Sequence, residues 1–295
     1  MAEHTEQVLP EITTGASEMP IEAKAAKVGE RRFPWWLIAV ILLVAAVYVL
    51  IATTPRFGEP FAFIIAGLTV TIQVSVLAYF IALIIGLFAG LGRISRSVVL
   101  NNIATFYVEV IRGVPMLVLI FFLALVGVPV VVEAIQALGR ALVDVGLILG
   151  RPLANLNIQA IPMAVRAIIA LAITYGAFLA EIFRAGIQSI PVGQMEAARS
   201  LGMSYTQAMR YIILPQAIRN VLPALGNDFI AMLKDSSLVS VLAVRDITQI
   251  SRLYAGRTFR FREAYTILLV MYLTITVLLS LGVRYIERRM AGDRR

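Results

Sequence analysis

The chain has 295 residues, 60% hydrophobic and 15% charged, with 26 Lys and Arg against 18 Asp and Glu for a formal net charge of +8. An ordinary soluble domain is nearer half apolar and a quarter charged, and the apolar residues here fall in long blocks, the pattern of segments dissolved in lipid. With no cysteine and a single histidine, His4 in a polar stretch, the chain offers nothing to build a disulfide framework, a metal site or histidine-based catalysis on, and its surplus of cations reads as the bias that orients membrane proteins, with no nucleic-acid partner implied.

Residues 1–33 are polar, carry Glu3, Glu6 and Glu11, and end in Arg31-Arg32. Acids at the start do not suit a secretory signal, so the expectation is a disordered cytoplasmic tail. Six apolar spans follow, each with the roughly 20 residues that cross about 30 Å of hydrocarbon as a helix. The first covers about 34–52 and opens with Trp35-Trp36 at interface height; the others cover about 61–91, 106–128, 161–183, 224–244 and 264–283. With the N-terminus inside, most of the Lys and Arg fall on the cytoplasmic side. Arg245, Arg252, Arg257, Arg260 and Arg262 fall on the outer side and go against that bias. Between the third and fourth spans, Val131–Val143 mixes apolar residues with Glu133 and Arg140, as in a short helix lying on the membrane surface.

The most informative stretch is the inner connection, about 188–223. It contains Glu196-Ala197-Ala198-Arg199-Ser200-Leu201-Gly202, nine further residues, and then Ile212-Ile213-Leu214-Pro215. Glu196–Arg199 favours helix, Gly202 ends or sharply turns it, and a second short helix is expected from Tyr205, limited by Pro215. Paired alanines leave a face that another protein can approach closely. The spacing E-A-A-x3-G-x9-I-x-L-P resembles, with no mismatch, the motif of ABC importer permeases. The likeness extends over about 66–287 and includes Gly67–Gln73, Glu109–Pro115, Ala180–Gly186 and Lys234–Leu238, which look like the polar amino acid branch. The extra first span and the long 129–160 connection depart from that pattern.

The resemblance implies an all-α polytopic membrane helix bundle of about six transmembrane helices with the type I ABC importer permease fold. Residues 34–60 would be an extra helix and outer loop, 61–288 the permease domain and 289–295 a cytoplasmic tail. It implies a multi-pass protein of a prokaryotic plasma (inner) membrane with four classes of partner: a separate ABC ATP-binding subunit, an extracytoplasmic amino acid-binding protein, a second permease subunit (identical or homologous), and membrane lipid. Glu196, Ala197, Ala198, Arg199, Gly202, Leu214 and Pro215 would couple to the ATPase. ATP and magnesium would sit on that partner, because none of the three lysines can end a phosphate-binding loop: Lys24 precedes Ala, Lys27 precedes Val and Lys234 precedes Asp.

Charges inside the membrane cost at least about 2.5 kcal/mol and mark interior or wet positions. Lys234, Asp235 and Ser236, with Thr71 and Gln73, are therefore expected to line or support a path for a zwitterion, the alternative being a structural ion pair. Glu109 with Arg112, and Glu181 with Arg184, are three apart near the inner ends of spans; with Asp228 they are expected as ion pairs or gate supports. Arg257 and Arg260 could receive carboxylates of the binding protein, or anionic lipid heads. Two other readings stay open: a permease for another small polar solute, and a secondary transporter, which would not need a docking segment such as 196–215. No enzyme constellation is visible.

Overall fold

The computed structural model describes residues 35–292, with side chains through Arg289. Among them every regular element is helical; the expected 1–33 tail and the last three residues lie outside the described part. Contacts divide the chain between Leu42 and Leu43. The first unit contributes residues 35–42, apolar at every position. The second carries everything after them.

Helix α1 (Trp35–Thr53) has 19 residues, enough to cross a bilayer. After Thr54, α2 (Pro55–Ile65) begins with Pro55 where a missing N–H leaves no bond unmade. Residues 55–60, expected as an outer loop, are therefore helix. A break at Ala66-Gly67 separates α2 from α3 (Leu68–Arg93). Helix α4 (Val98–Gly113) starts on Ser97, whose Oγ accepts from Leu100 N, and stops where Val114 turns extended ahead of Pro115. The expected third span is thus cut in two. The continuous helix is instead α5 (Met116–Phe122), a π-turn at Leu123–Gly127 and α6 (Val128–Asp144). Its 29 residues reach roughly 44 Å, past a hydrocarbon layer of about 30 Å. Val131–Val143 is therefore not a separate surface helix but the continuation of this span. It folds back on α7 (Gly150–Ala154) through facing glycines: a Cβ on Gly139 would run into the backbone of Ala154.

Helix α8 (Met163–Gln188) is followed by α9 (Val192–Ser200), α10 (Tyr205–Ala208), a π-turn at Met209–Ile213 and α11 (Leu214–Asp235). The expected fifth span, about 224–244, is not one helix. α11 ends at Asp235, Ser236–Leu242 is a 3-10 turn, Ala243 is left-handed at φ 58°, and α12 (Ile247–Thr258) starts anew on Asp246. The Ser236 hydroxyl donates to Leu233 O at 2.7 Å, the kind of local bond that competes with a helix ladder. Helix α13 (Phe261–Gly292) closes the chain. Among the described residues five stretches are long and apolar enough to span a membrane, ending with Phe261–Arg289; α11, carrying Arg219, Asp228, Lys234 and Asp235, is the polar sixth.

The centre of the bundle is the pair α3 and α8. A Cβ on Gly86 would lie 2.6 Å from Leu179 Cβ, one on Gly90 2.8 Å from Ala180 O, and one on Gly176 2.7 Å from Ile85 Cγ2. Residue numbers rise together along both helices, so they run parallel. Small residues let the backbones approach where lipid supplies no hydrophobic drive. Ala78, Ala82, Ala167, Ala170 and Leu171 are fully buried here. α11 runs antiparallel to α8, with Gly186 against Val221 and Tyr175 against Asp235. A second cluster joins α12, α13 and α2 to the end of α1 through Ile64, Ile247, Ile267 and Ile51.

Candidate functional site

The motif segment is held by local hydrogen bonds. α9 ends in a closed cap: Gly202 N donates to Arg199 O at 3.0 Å and Met203 N to Ala198 O at 3.2 Å, with Gly202 at φ +81°. Glycine alone takes that conformation without a Cβ penalty. Two residues later Ser204 opens α10 with a reciprocal cap, its Oγ accepting from Gln207 N and its N–H donating to the Gln207 side chain. Pro215 does not limit the second helix. The π-turn at Met209–Ile213 widens the chain just ahead of it, and the helical path continues from Tyr205 to Asp235. Such a bulge absorbs the hydrogen bond a proline cannot donate. Ala198 and Ala208 face inward, whereas Glu196, Ala197, Arg199, Leu214 and Pro215 are exposed. Ile190, Ile213 and Ala217 bury the segment's underside. Leu201, 85% exposed, stands beside the motif with no cover.

Above this segment lies an ionic cluster whose hub the sequence reading missed. Arg93, at the end of α3, pairs with Glu181 of α8 at 2.8 Å and Glu109 of α4 at 3.3 Å. Glu181 also binds Arg184 through Nε at 3.0 Å and through a second guanidinium nitrogen. Glu109 is therefore not paired with Arg112, as its spacing suggested. Arg112 lies over the Phe178 ring, 5.8 Å from its centroid. The i,i+3 spacing found the partner within one helix; Arg93 is 88 residues from Glu181, and only the close packing of α3 on α8 joins them.

The polar end of α11 lies at the depth of Tyr175, halfway along α8: Tyr175 donates to Asp235 Oδ2 at 2.6 Å. Nearly three turns earlier on α11, Leu225 O accepts from the Tyr79 hydroxyl of α3 at 2.6 Å. Asp228 Oδ2 is buried with no hydrogen-bond partner among the described residues, and Lys234 is exposed. A helix C-terminus, the exposed Lys234 and Asp235 thus share one level of the bundle, with Asp228 about two turns back along α11. Ser236 is fully buried and spends its hydroxyl on Leu233, so it supports the turn and lines no surface. Thr71 also leaves the expected lining: it is 1% exposed, donates to Gly67 O and accepts from Ile247 N at 3.1 Å. Gln73 stands with Thr69 on the exposed face of α3, away from Thr71 and Ser75.

At the opposite end from the motif, a Cβ on Gly67 would lie 2.7 Å from Asp246 C and Ile247 N, so α3 and α12 meet backbone to backbone. Asp246 is fully buried. One oxygen accepts from Gln249 N at 2.8 Å, and the Thr248 and Tyr272 hydroxyls stand beside the carboxyl. Of the outer arginines, Arg260 is engaged by Glu59 at 3.1 Å and by the Tyr254 hydroxyl at 3.4 Å. It is thus less available to a partner than the sequence reading assumed. Arg257 is exposed.

Residues 82–292 match the model of a family described as the binding-protein-dependent transport system inner membrane component. The chain is 35% identical over 232 residues to a probable glutamine ABC transporter permease protein of Bacillus subtilis (strain 168), covering 79% of this chain and 95% of that one. It is 34% identical over 227 residues to a glutamine transport system permease protein of Escherichia coli (strain K12), covering 77% and 92%. A crystal structure of an amino acid ABC transporter with histidines matches with a TM-score of 0.63 and 38% identity over 79% of this chain and 95% of that one. An inward-facing methionine ABC transporter shares the fold at TM-score 0.57 and 20% identity, over 78% and 96%.

Proposed function

Since the chain belongs to the binding-protein-dependent transport system inner membrane components, we propose that it forms the translocation path of an importer for polar amino acids and grips its ATPase through Glu196–Pro215. As in the family, ATP hydrolysis resides on a separate subunit and this chain is a multi-pass membrane protein. Its own part is to hold two conformations whose balance the partners shift. The N-terminus would lie in the cytosol, a second permease subunit would complete the path, and an extracytoplasmic protein would deliver substrate.

The observation that carries the coupling role is the motif segment itself. Its underside is packed on α8 and α11, its turns are fixed at Gly202 and Ser204, and Glu196, Ala197, Arg199 and Leu201 face outward. Such a rigid, uncovered segment can deliver a push to the bundle. The amino acid class rests on the names of the relatives. At mid-depth, Lys234 can meet a carboxylate and Asp235 with Asp228 an ammonium, which is the charge complement of a zwitterion.

The test is ATP-dependent uptake of radiolabelled glutamine by proteoliposomes holding the permease, its ATPase and its binding protein. Competition by polar amino acids and not by sugars is expected. Competition by sugars alone would overturn the substrate class and leave the permease role intact. An ATPase that binds as well after the 196–202 helix is replaced by a Gly-Ser linker would overturn the coupling role.

A further inference from the structure

The corner between α3 and α4 faces two ways. Arg93 points into the bundle, holding Glu181 and Glu109. Arg96, three residues on, stands over the ring of Tyr205 in the motif segment, 5.8 Å from its centroid. The chain between them is tied down. Ser95 N donates to Gly92 O at 3.1 Å, Ser97 N to Ser95 Oγ at 3.2 Å, and the Asn101 side chain to Arg93 O at 2.5 Å. Ser97 in turn caps α4. Few degrees of freedom remain, so a displacement of Arg96 is passed to Arg93.

We infer that the Arg93–Ser97 corner is a second transmission element, carrying motion of the motif segment from Tyr205 through Arg96 to the Arg93–Glu109–Glu181 cluster, alongside the covalent route through α8 and α11. This rests on the coupling reading of Glu196–Pro215. The covalent route moves α8 and α11 directly, whereas nothing in the chain's connectivity ties α3 and α4 to the motif. The corner supplies that tie. All three elements at the cluster then move as one block rather than shearing past one another. A cation over an aromatic ring at an exposed site is worth about 0.5–1 kcal/mol. That is enough to bias a two-state equilibrium about twofold to fivefold, and too little to hold the fold. Arg96 and Tyr205 are in this sense positioning residues, acting through Arg93.

The test uses the reconstituted transporter and reads solute taken up per ATP hydrolysed. Arg96→Ala and Tyr205→Ala should each lower that ratio about twofold to fivefold, and the double variant should be no worse than the worse single one. Tyr205→Phe, which keeps the ring, should stay near wild type. Additive losses in the double variant, or a ratio unchanged by Arg96→Ala, would overturn the inference. Gly202→Val separates the two failures. If it lowers the ratio while Arg96→Ala does not, the corner is idle and the coupling reading stands; if neither does, that reading falls too. Because the chain has no cysteine, cysteines at 96 and 205 can be bridged by a short bifunctional maleimide. Bridged protein should keep transporting, since the contact travels intact through the cycle; arrest on bridging would show that the contact must break and would sink the proposal.

Discussion

The two ends of the bundle are built by opposite means. At the motif end, the turns close through bonds between residues three to five apart: Gly202 to Arg199, Met203 to Ala198, Gln207 to Ser204. At the far end, the corner closes through Ile247 N to Thr71, 176 residues apart, and through Arg260 to Glu59, 201 apart. A locally closed element keeps its shape while it moves as a unit, which suits a segment that a partner pushes. A corner closed across the chain fixes elements against each other. It also concentrates buried polar groups, Asp246 and Thr71, where each needs a partner from elsewhere. The segment that moves is thus built to be self-sufficient, and the corner that anchors is not.

The contrast can be broken most severely at Gly67. Gly67→Val drives a side chain into the backbone of Asp246 and Ile247 and should cost about 3 kcal/mol or more, seen as loss of folded protein in detergent. A mild effect would mean the corner has slack. Asp246 comes next. Its carboxylate starts α12 by accepting from Gln249 N at 2.8 Å. Asp246→Ala removes that cap and leaves the Gln249 N–H buried without its partner, which should cost about 2 kcal/mol in thermal unfolding. Asp246→Asn keeps a capping oxygen and should cost less than Asp246→Ala.

Smaller still, Gly202→Val should cost about 1–2 kcal/mol in the α9 cap. It should lower uptake per ATP far more than it lowers thermal stability, because the damage stays in the moving segment. Equal losses in both would blur the distinction between the two ends. The least effect is expected from Glu59→Gln, which removes an exposed partner of Arg260. Thermal stability should hardly change, and any change should shrink as salt is raised.

How far these regions could be read in advance follows the same division. The motif helix, its end at Gly202 and its exposed Glu196 follow from residue types at short spacing, as do spans one, four and six. Pro115 and Ser236 carried signals of a break, a proline after an extended residue and a serine able to bond back to the helix, but long apolar blocks hid them. Arg93 looked like one more cytoplasmic cation. Its partners are set by the packing of α3 on α8, and the i,i+3 rule sees only one helix at a time.

The sequence alone determined that the chain crosses a membrane several times as helices, and that a capped, partly uncovered motif segment interrupts them. Both follow from local rules: hydropathy blocks must be long enough to satisfy every backbone group within lipid, and caps use side chains a few residues away. Only the tertiary structure decided that α11 stops at mid-depth against Tyr175, that Glu181 answers to Arg93, and that Thr71 belongs to a corner and not a path. Those pairings join residues far apart in the chain. They exist because glycines at 67, 86, 90 and 176 let backbones approach to distances that no side chain would allow.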